Sequence, residues 1–557
     1  MKRLFSPQLL LIAIIILGFI LRFYQLDRIP NGFVPEEVSN GWNAYSILKT
    51  GRDEWGKWFP LVFKETGGYK LALNSYLIVP FMAILGPSEF AVRIPTALAS
   101  VLTVWLTYIF AYQLFKKQKI ALAASLFVVV SPWTVAMARY GEDVNWGIAL
   151  FLLGVIGFLK SLENKNWLII SGIAFALTFY TYAAYTGFTL LFVFSLIMWQ
   201  WRHFFEKTNW KWGIVFLLIP ILFLLPYLKE QNLATRFSQT TSTKNIGVIN
   251  QINEHRTACL SVYPHIICRG VYNKTTARII ELGKNYVNHF STTTYFLNGS
   301  KLGLSGMPDN WGFLYLFEFP LIILGIVTLI KRKLFSRVLI FWLILFSIPS
   351  ALVSDGHIWR MMTIVPVPQI LAAVGLIELM SMLPFIWIRL SLSLAIAAFV
   401  MFFWADYTSF FPYTQSANAY FGFRDVYATL TPIESEYDQI IIAPTTLNFE
   451  QLYIYYLFYM HPDPRIYQTG EDIDRSVKSE GWVKVARIGK WYFDQDPRTV
   501  PLIGKRILLV TDGTFFDHAN LGESYVPILK HTIEFVNQTP AFKIYEVQRN
   551  VSVTNAI

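Results

Sequence analysis

Apolar runs of roughly 16 to 24 residues recur along this chain, each close to the length a helix needs to cross about 30 Å of hydrocarbon. They are read near residues 9–21, 92–115, 120–138, 146–162, 167–185, 186–201, 212–228, 311–330, 338–353, 362–380 and 386–405. That makes about eleven spans, and composition agrees: 54% of the residues are apolar and 15% charged, against roughly 25% charged in ordinary globular chains. A soluble globular fold is excluded, and a polytopic α-helical membrane protein is expected. The 47 Lys and Arg exceed the 36 Asp and Glu to give a net charge of +11. In a membrane protein such an excess marks cytoplasmic connections, so nucleic acid is not expected as a partner.

The basic residues fall where that rule requires. Lys116, Lys117 and Lys119 occupy one short connection, Arg202, Lys207 and Lys211 another, and Lys331, Arg332, Lys333 and Arg337 a third, at alternate turns of the chain. The first run follows Met1-Lys2-Arg3 and lacks a small-residue cleavage site, so it reads as an uncleaved helix with its N-terminus in the cytoplasm. An odd number of spans then places the C-terminus outside, together with a first outer loop at 23–91, a large outer loop at 229–310 and everything after about 406. Residues 1–405 form the membrane module on this reading. Residues 406–557 change character, with "DQIIIAP" (438–444), "RILLVTDG" (506–513) and "FKIYEVQR" (542–549) rich in β-branched residues. With the aromatic helix pattern of "FEQLYIYYLFYM" (449–460) they suggest a small extracytoplasmic α/β domain. The 11-residue run "YLIVPFMAILG" (76–86) is too short to span and suits an interfacial helix.

Chemistry should lie on the outer side, and the first loop opens with two adjacent acids, Glu36 and Glu37. Residues 40–51, "NGWNAYSILKTG", have helix periodicity, which puts both acids near a helix N-terminus where the dipole favours an anion. A carboxylate beside apolar walls can be tuned as a general base. Lys70 lies further along the same loop. The turn "ARYGEDVNW" brings Arg139, Glu142 and Asp143 between two spans, and "SDGHIWRMM" brings His357 and Arg360 between two others. No group of His, Asp and Cys has metal-ligand spacing, so no metal or cofactor is expected. A divalent ion shared by Glu36 or Asp143 with a phosphate stays open. The only two cysteines, Cys259 and Cys268, have eight residues between them and can form one disulfide in an oxidising compartment.

The run "EEVSNGWNAYSILKTGRDEWGKWFPL", continued by "GGYKLALNSYLIVPFMAILGPSEFAVRIPTALASVL", resembles the start of bacterial family 39 glycosyltransferases. These have the GT-C fold and are related to the polyprenyl-phosphate-mannose protein O-mannosyltransferases and the lipid A aminoarabinose transferases. The resemblance continues through "SPWTVAMARYGEDVN", "NHFSTTTYFLNG", "WGFLYLFEFPLIILGI" and "IPSALVSDGHIWRMMTIVPVPQILAAVGL", about two-thirds of the chain. It implies a membrane glycosyltransferase that moves a sugar from a polyprenyl-phosphate donor to an extracytoplasmic acceptor with inversion, the acceptor being a protein, a lipid or a cell-wall polymer. By position relative to "GWNAYS", Glu36 stands where the family has its Asp and Glu37 where it has its Glu. The resemblance implies catalytic roles for Glu36, Glu37 and Asp143 and donor-phosphate binding by Lys70 and Arg139; Arg360 is a further candidate phosphate ligand because a fixed guanidinium suits a phosphate, and His357 on the same turn is a lesser candidate. After Lys70 this chain has "LAL" where relatives usually carry a Pro pair. Two other functions fit the sequence: a transporter or flippase of a lipid-linked saccharide, which would hold its polar groups near the bilayer midplane, and an inactive relative acting as a surface scaffold.

Overall fold

The computed structural model describes residues 6–65, 68–205, 210–229, 246–299, 306–308, 310–353, 357–416, 420–445, 451–477, 483–494, 496–522 and 525–549. Lys207 lies outside them. Each of the eleven apolar runs contains helix. Five helices are long and apolar enough to cross a membrane, or up to seven if each of two bent pairs counts as one span. The pairs are α5 with α6 (Gln118–Val130 and Pro132–Ala138, bent by 56°) and Ile358–Ile364 with Val367–Met382 (53°). The shorter apolar helices are Pro7–Phe23 (α1), Leu73–Leu85 (α3), Trp167–Tyr180 and Arg337–Ala351. Length decides which runs qualify, because a proline at each bend ends one helix and starts the next.

Local signals set the helix ends. Ser6 caps α1, with Pro7 at its first position, and Ser88 caps the 27-residue α4 (Glu89–Phe115). Between them, α2 runs from Pro35 to Thr50 and stops at Gly51, whose φ of +71° is left-handed and open to glycine at little cost. A two-stranded hairpin follows, β1 (Val62–Glu65) against β2 (Gly68–Leu71), with Phe63 opposite Lys70. Beyond the turn at 139–143 come α7 (Val144–Ser161), α8 (Trp167–Leu177), α9 (Ala183–Phe205) and α10 (Trp210–Lys229).

The helices pack as a bundle whose tightest crossing joins Glu318–Lys331 to Val367–Met382. There a Cβ on Gly325 would overlap the Leu371 carbonyl, and one on Gly375 the Leu321 carbonyl. Small residues let backbones meet this closely, the usual device where lipid provides no hydrophobic drive. Gly375→Ala should therefore destabilise the bundle by about 1–3 kcal/mol, read as a lowered melting temperature in detergent. Gly270→Ala, which meets nothing within 4 Å, should leave it unchanged.

After residue 420 the chain builds a seven-stranded sheet in the order β4-β5-β6-β3-β7-β9-β8. Its strands are β3 (Gln439–Ile442), β4 (Ile473–Val477), β5 (Val483–Ile488), β6 (Trp491–Phe493), β7 (Ile507–Asp512), β8 (Tyr525–Glu534) and β9 (Pro540–Arg549). β3 is parallel to both β6 and β7, and the other pairs are antiparallel. The central strands β3 and β7 are buried along their whole length and carry continuous Ile, Leu and Val, as strands covered on both faces do. The aromatic helix Leu452–Met460 covers one face and packs its other side on α2, so sheet, aromatic helix and α2 share one core. Gly41 makes the contact possible, since a Cβ there would lie 2.5 Å from the Phe458 ring.

Candidate active site

Three segments converge beside α2: the β1–β2 hairpin, the start of α3 and the turn after α6. The grip is on Gly141, whose carbonyl accepts from Asn40 Nδ2 (2.9 Å) and Asn74 Nδ2 (2.7 Å). Its N–H donates to Glu37 Oε1 (2.8 Å). No side chain would fit at this position, since a Cβ would meet Val92 at 2.9 Å.

Glu37 is fully buried and saturated. Arg93 Nε donates to its Oε1 (2.8 Å) and Nη2 to its Oε2 (3.2 Å), while the Val34 N–H donates to its Oε2 (3.3 Å). Arg93 in turn donates to the carbonyls of Leu26, Pro30 and Gly32. Glu37, expected to be catalytic, therefore knots α2, α4 and the loop before α2 together, and its carboxylate has no face open to a substrate. Glu36, one residue earlier, is exposed. Among the described residues no hydrogen bond or ion pair to its carboxylate is present.

Lys70 is buried beneath it. Its Nζ donates to the Glu36 carbonyl (3.1 Å) and forms an ion pair with Glu142 Oε1 (3.3 Å). Burial would drive the ammonium to lose its proton, but the carboxylates of Glu142, Glu65, Asp143 and Glu36 outweigh it and hold the lysine above its ordinary range. Burial also raises the Glu142 carboxyl, against the pull of Lys70, and the neighbouring acids push the same way. Asp143 is buried at the start of α7, with its charge felt at both Lys70 and Glu142. The site is thus a cation among four acids, two of them buried in one short turn.

Arg139 differs from its expected role. All three of its nitrogens donate to main-chain carbonyls, those of Leu21, Tyr24, Gln25 and Ile29, at 2.6–3.2 Å, and the residue is fully buried. It satisfies the orphan carbonyls at the end of α1 and offers no donor to a phosphate. Arg360 and His357 sit with the helix Ile358–Met361, whose Trp359 packs edge-on against Tyr140 at 5.7 Å. That contact brings their segment against the 139–143 turn. Asp53 accepts the N–H groups of Trp55 and Lys57 and shapes the turn after α2. Burial, with Glu65 and Asp53 close by, pushes the Glu54 carboxyl well above the usual carboxylate range.

An apolar groove of about 380 Å³ starts two residues after Lys70, where Ala72, Leu73 and Tyr76 face Tyr180, Leu222 and Phe223. Among the described residues no group of three or more His, Cys, Asp or Glu side chains could hold a metal ion. Cys259 and Cys268 form a disulfide away from these residues.

A family model described as dolichyl-phosphate-mannose-protein mannosyltransferase matches residues 72–227. The crystal structure of ArnT from Cupriavidus metallidurans bound to undecaprenyl phosphate superposes with a TM-score of 0.52 at 12% identity, covering 96% of this chain and 97% of that one. The chain has the fold of that ArnT. The apo state of the same ArnT gives a TM-score of 0.52 at 11% identity, over 96% and 97%. In sequence, an undecaprenyl phosphate-alpha-4-amino-4-deoxy-L-arabinose arabinosyl transferase 1 of Pseudomonas fluorescens (strain Pf0-1) is 25% identical over 229 residues. That match spans 38% of this chain and 38% of the relative's length. Parts of this chain are thus similar in sequence to the protein mannosyltransferases and to an aminoarabinose transferase, and its apolar helices and this fold are those of a multi-pass membrane protein.

Proposed function

We propose that this GT-C chain is a glycosyltransferase that moves a sugar from a polyprenyl-phosphate donor to an extracytoplasmic acceptor, with inversion at the anomeric carbon. One observation carries the reading: the buried Lys70 is held by the Glu36 carbonyl and paired with Glu142, two residues before the chain enters the lining of an apolar groove, and the Glu36 carboxylate is exposed. The groove suits a prenyl chain, Lys70 the phosphate, and Glu36 the hydroxyl that attacks. As the sugar leaves, negative charge grows on the phosphate, and a cation already fixed in place stabilises it without reorganisation. Arg360 and His357 supplement that charge from the neighbouring turn, and Asp143 orients the acceptor. The short basic connections support a cytoplasmic N-terminus and a C-terminus outside, with the site on the outer side. The match of the resemblance to an ArnT crystallised with undecaprenyl phosphate supports the donor class.

The experiment is transfer by purified protein from a radiolabelled polyprenyl-phosphate sugar. Lys70→Ala should lose about 10²–10³ in rate per folded molecule, beyond the destabilisation expected from leaving the buried Glu142 without its partner, and Lys70→Arg should recover part of it. Unchanged turnover in Lys70→Ala would remove the lysine from the site, and no turnover by the native chain with any such donor would overturn the function.

A further inference from the structure

The region 246–290 presents apolar side chains to the outside in a way the rest of the site does not explain. Ile266 is 81% exposed, Val262 71%, Val287 67% and Ile279 64%, with Tyr263, Ile267 and Ile280 about half exposed or more. Soluble surfaces seldom expose so much contiguous aliphatic area. Three helices carry it: Ile246–Leu260, His265–Val271 and Lys274–Asn288. The Cys259–Cys268 disulfide ties the first to the second.

The third helix has separate faces. Ile279, Ile280, Gly283 and Val287 fall on one side at helical spacing, while Glu281, Asn288 and Lys274 fall roughly opposite. A third side is taken by protein: Asn285 Nδ2 donates to the Ala351 carbonyl (3.0 Å), the Tyr286 hydroxyl to the Ile344 carbonyl (3.1 Å), and His289 Nε2 shares a hydrogen bond with Ser350 Oγ (2.7 Å). These contacts seat the helix against the end of Arg337–Ala351, an apolar helix whose own Ile340 and Ile344 are exposed. The exposed aliphatic residues thus lie on a helix that packs beside a second helix with exposed apolar side chains. The charge fits as well, with Arg256, Arg269, Lys274, Arg278 and Lys284 against Glu254 and Glu281, as anionic headgroups would favour.

We infer that the disulfide-stapled helices of 246–290 lie in the surface of the bilayer, on the same side as Lys70, with Ile266, Ile280 and Val287 inserted among acyl chains and the basic residues at the headgroups. The staple holds the tip at Ile266–Ile267 to the first helix so that both insert as one body. The inference is independent of transfer activity.

Among the described residues no cysteine is free, so single cysteines can be spin-labelled without reduction. Ile266→Cys, Ile280→Cys, Val287→Cys, Lys274→Cys and Asn288→Cys would be labelled in the full chain, in nanodiscs of phosphatidylcholine and phosphatidylglycerol. Collision rates with oxygen, which partitions into lipid, would be compared with those of a water-soluble nickel chelate. At 266, 280 and 287 oxygen should dominate, and at 274 and 288 the nickel chelate. Nickel dominance at all five positions would show a face in water and overturn the inference. Low collision with both reagents at 266, 280 and 287 would show a protein surface covering them, a second copy included, and would overturn it equally.

Discussion

Glu36→Gln should abolish transfer, by about 10²–10⁴ in rate, with the melting temperature and carrier binding unchanged. Inversion requires a hydroxyl to attack the anomeric carbon from the face opposite the departing phosphate, and a carboxylate that takes the hydroxyl proton makes the attack easier. Glu36 is placed for it: exposed at the first turn of α2, with a carboxylate that makes no hydrogen bond among the described residues and its own carbonyl held by Lys70. The amide keeps the shape and cannot take the proton. Glu36→Asp reads the geometry, because a base must come within hydrogen-bond reach of the proton it removes. If the loop has adjusted to the longer side chain, Asp is slower; otherwise it is as fast or faster. Full transfer by Glu36→Gln, with loss in Asp143→Asn, would move the base to the α7 turn.

Glu37→Gln should show the opposite signature. Removing one partner of a fully buried ion pair typically costs about 3–5 kcal/mol, since the other charge is left without compensation, and here the stranded group would be the Arg93 guanidinium. Arg93→Ala should cost as much from the other side. Both variants should unfold at markedly lower temperature in detergent, lose protection from protease around residues 23–50, and lose transfer in proportion to the folded fraction. A Glu37→Gln protein that melts like the native chain yet fails to transfer would return Glu37 to catalysis.

The parts of this arrangement differ in how far the sequence discloses them. The apolar runs, the helix behind Glu36 and Glu37, and the strands at 439–442, 507–512 and 540–549 follow from periodicity and residue type. Glu36 and Lys70 are legible as charged groups near a membrane edge. Their neighbour Glu142 was only one acid of a short turn, because nothing local says that it faces a lysine 72 positions earlier. Arg93 carried a usable signal: an arginine at the fifth position of α4, inside the start of an apolar run, needs a partner when buried, and Glu37 is that partner. Arg139 misled for the converse reason. An arginine at a turn suggests an anion, but four helix-end and loop carbonyls need donors too, and their proximity is a property of the packed chain. Bends at Pro132 and before Val367 likewise depend on neighbours, so run length alone reports spans more simply than the folded helices do.

The hydroxyl of Tyr455 donates to the carbonyl of Phe33, 422 residues earlier in the chain. At about 5–20 residues per second of synthesis, the loop carrying Glu36 is made roughly 20 to 80 s before the helix that covers it. Through that interval α2 has its backbone but not its lid of Tyr455 and Phe458, and the cleft beside Gly41 is bare. Nascent chains stalled before the aromatic helix would carry every residue assigned here to chemistry and still lack the wall that fixes their helix. A segment made some four hundred residues later thereby sets the moment at which α2 takes its final shape.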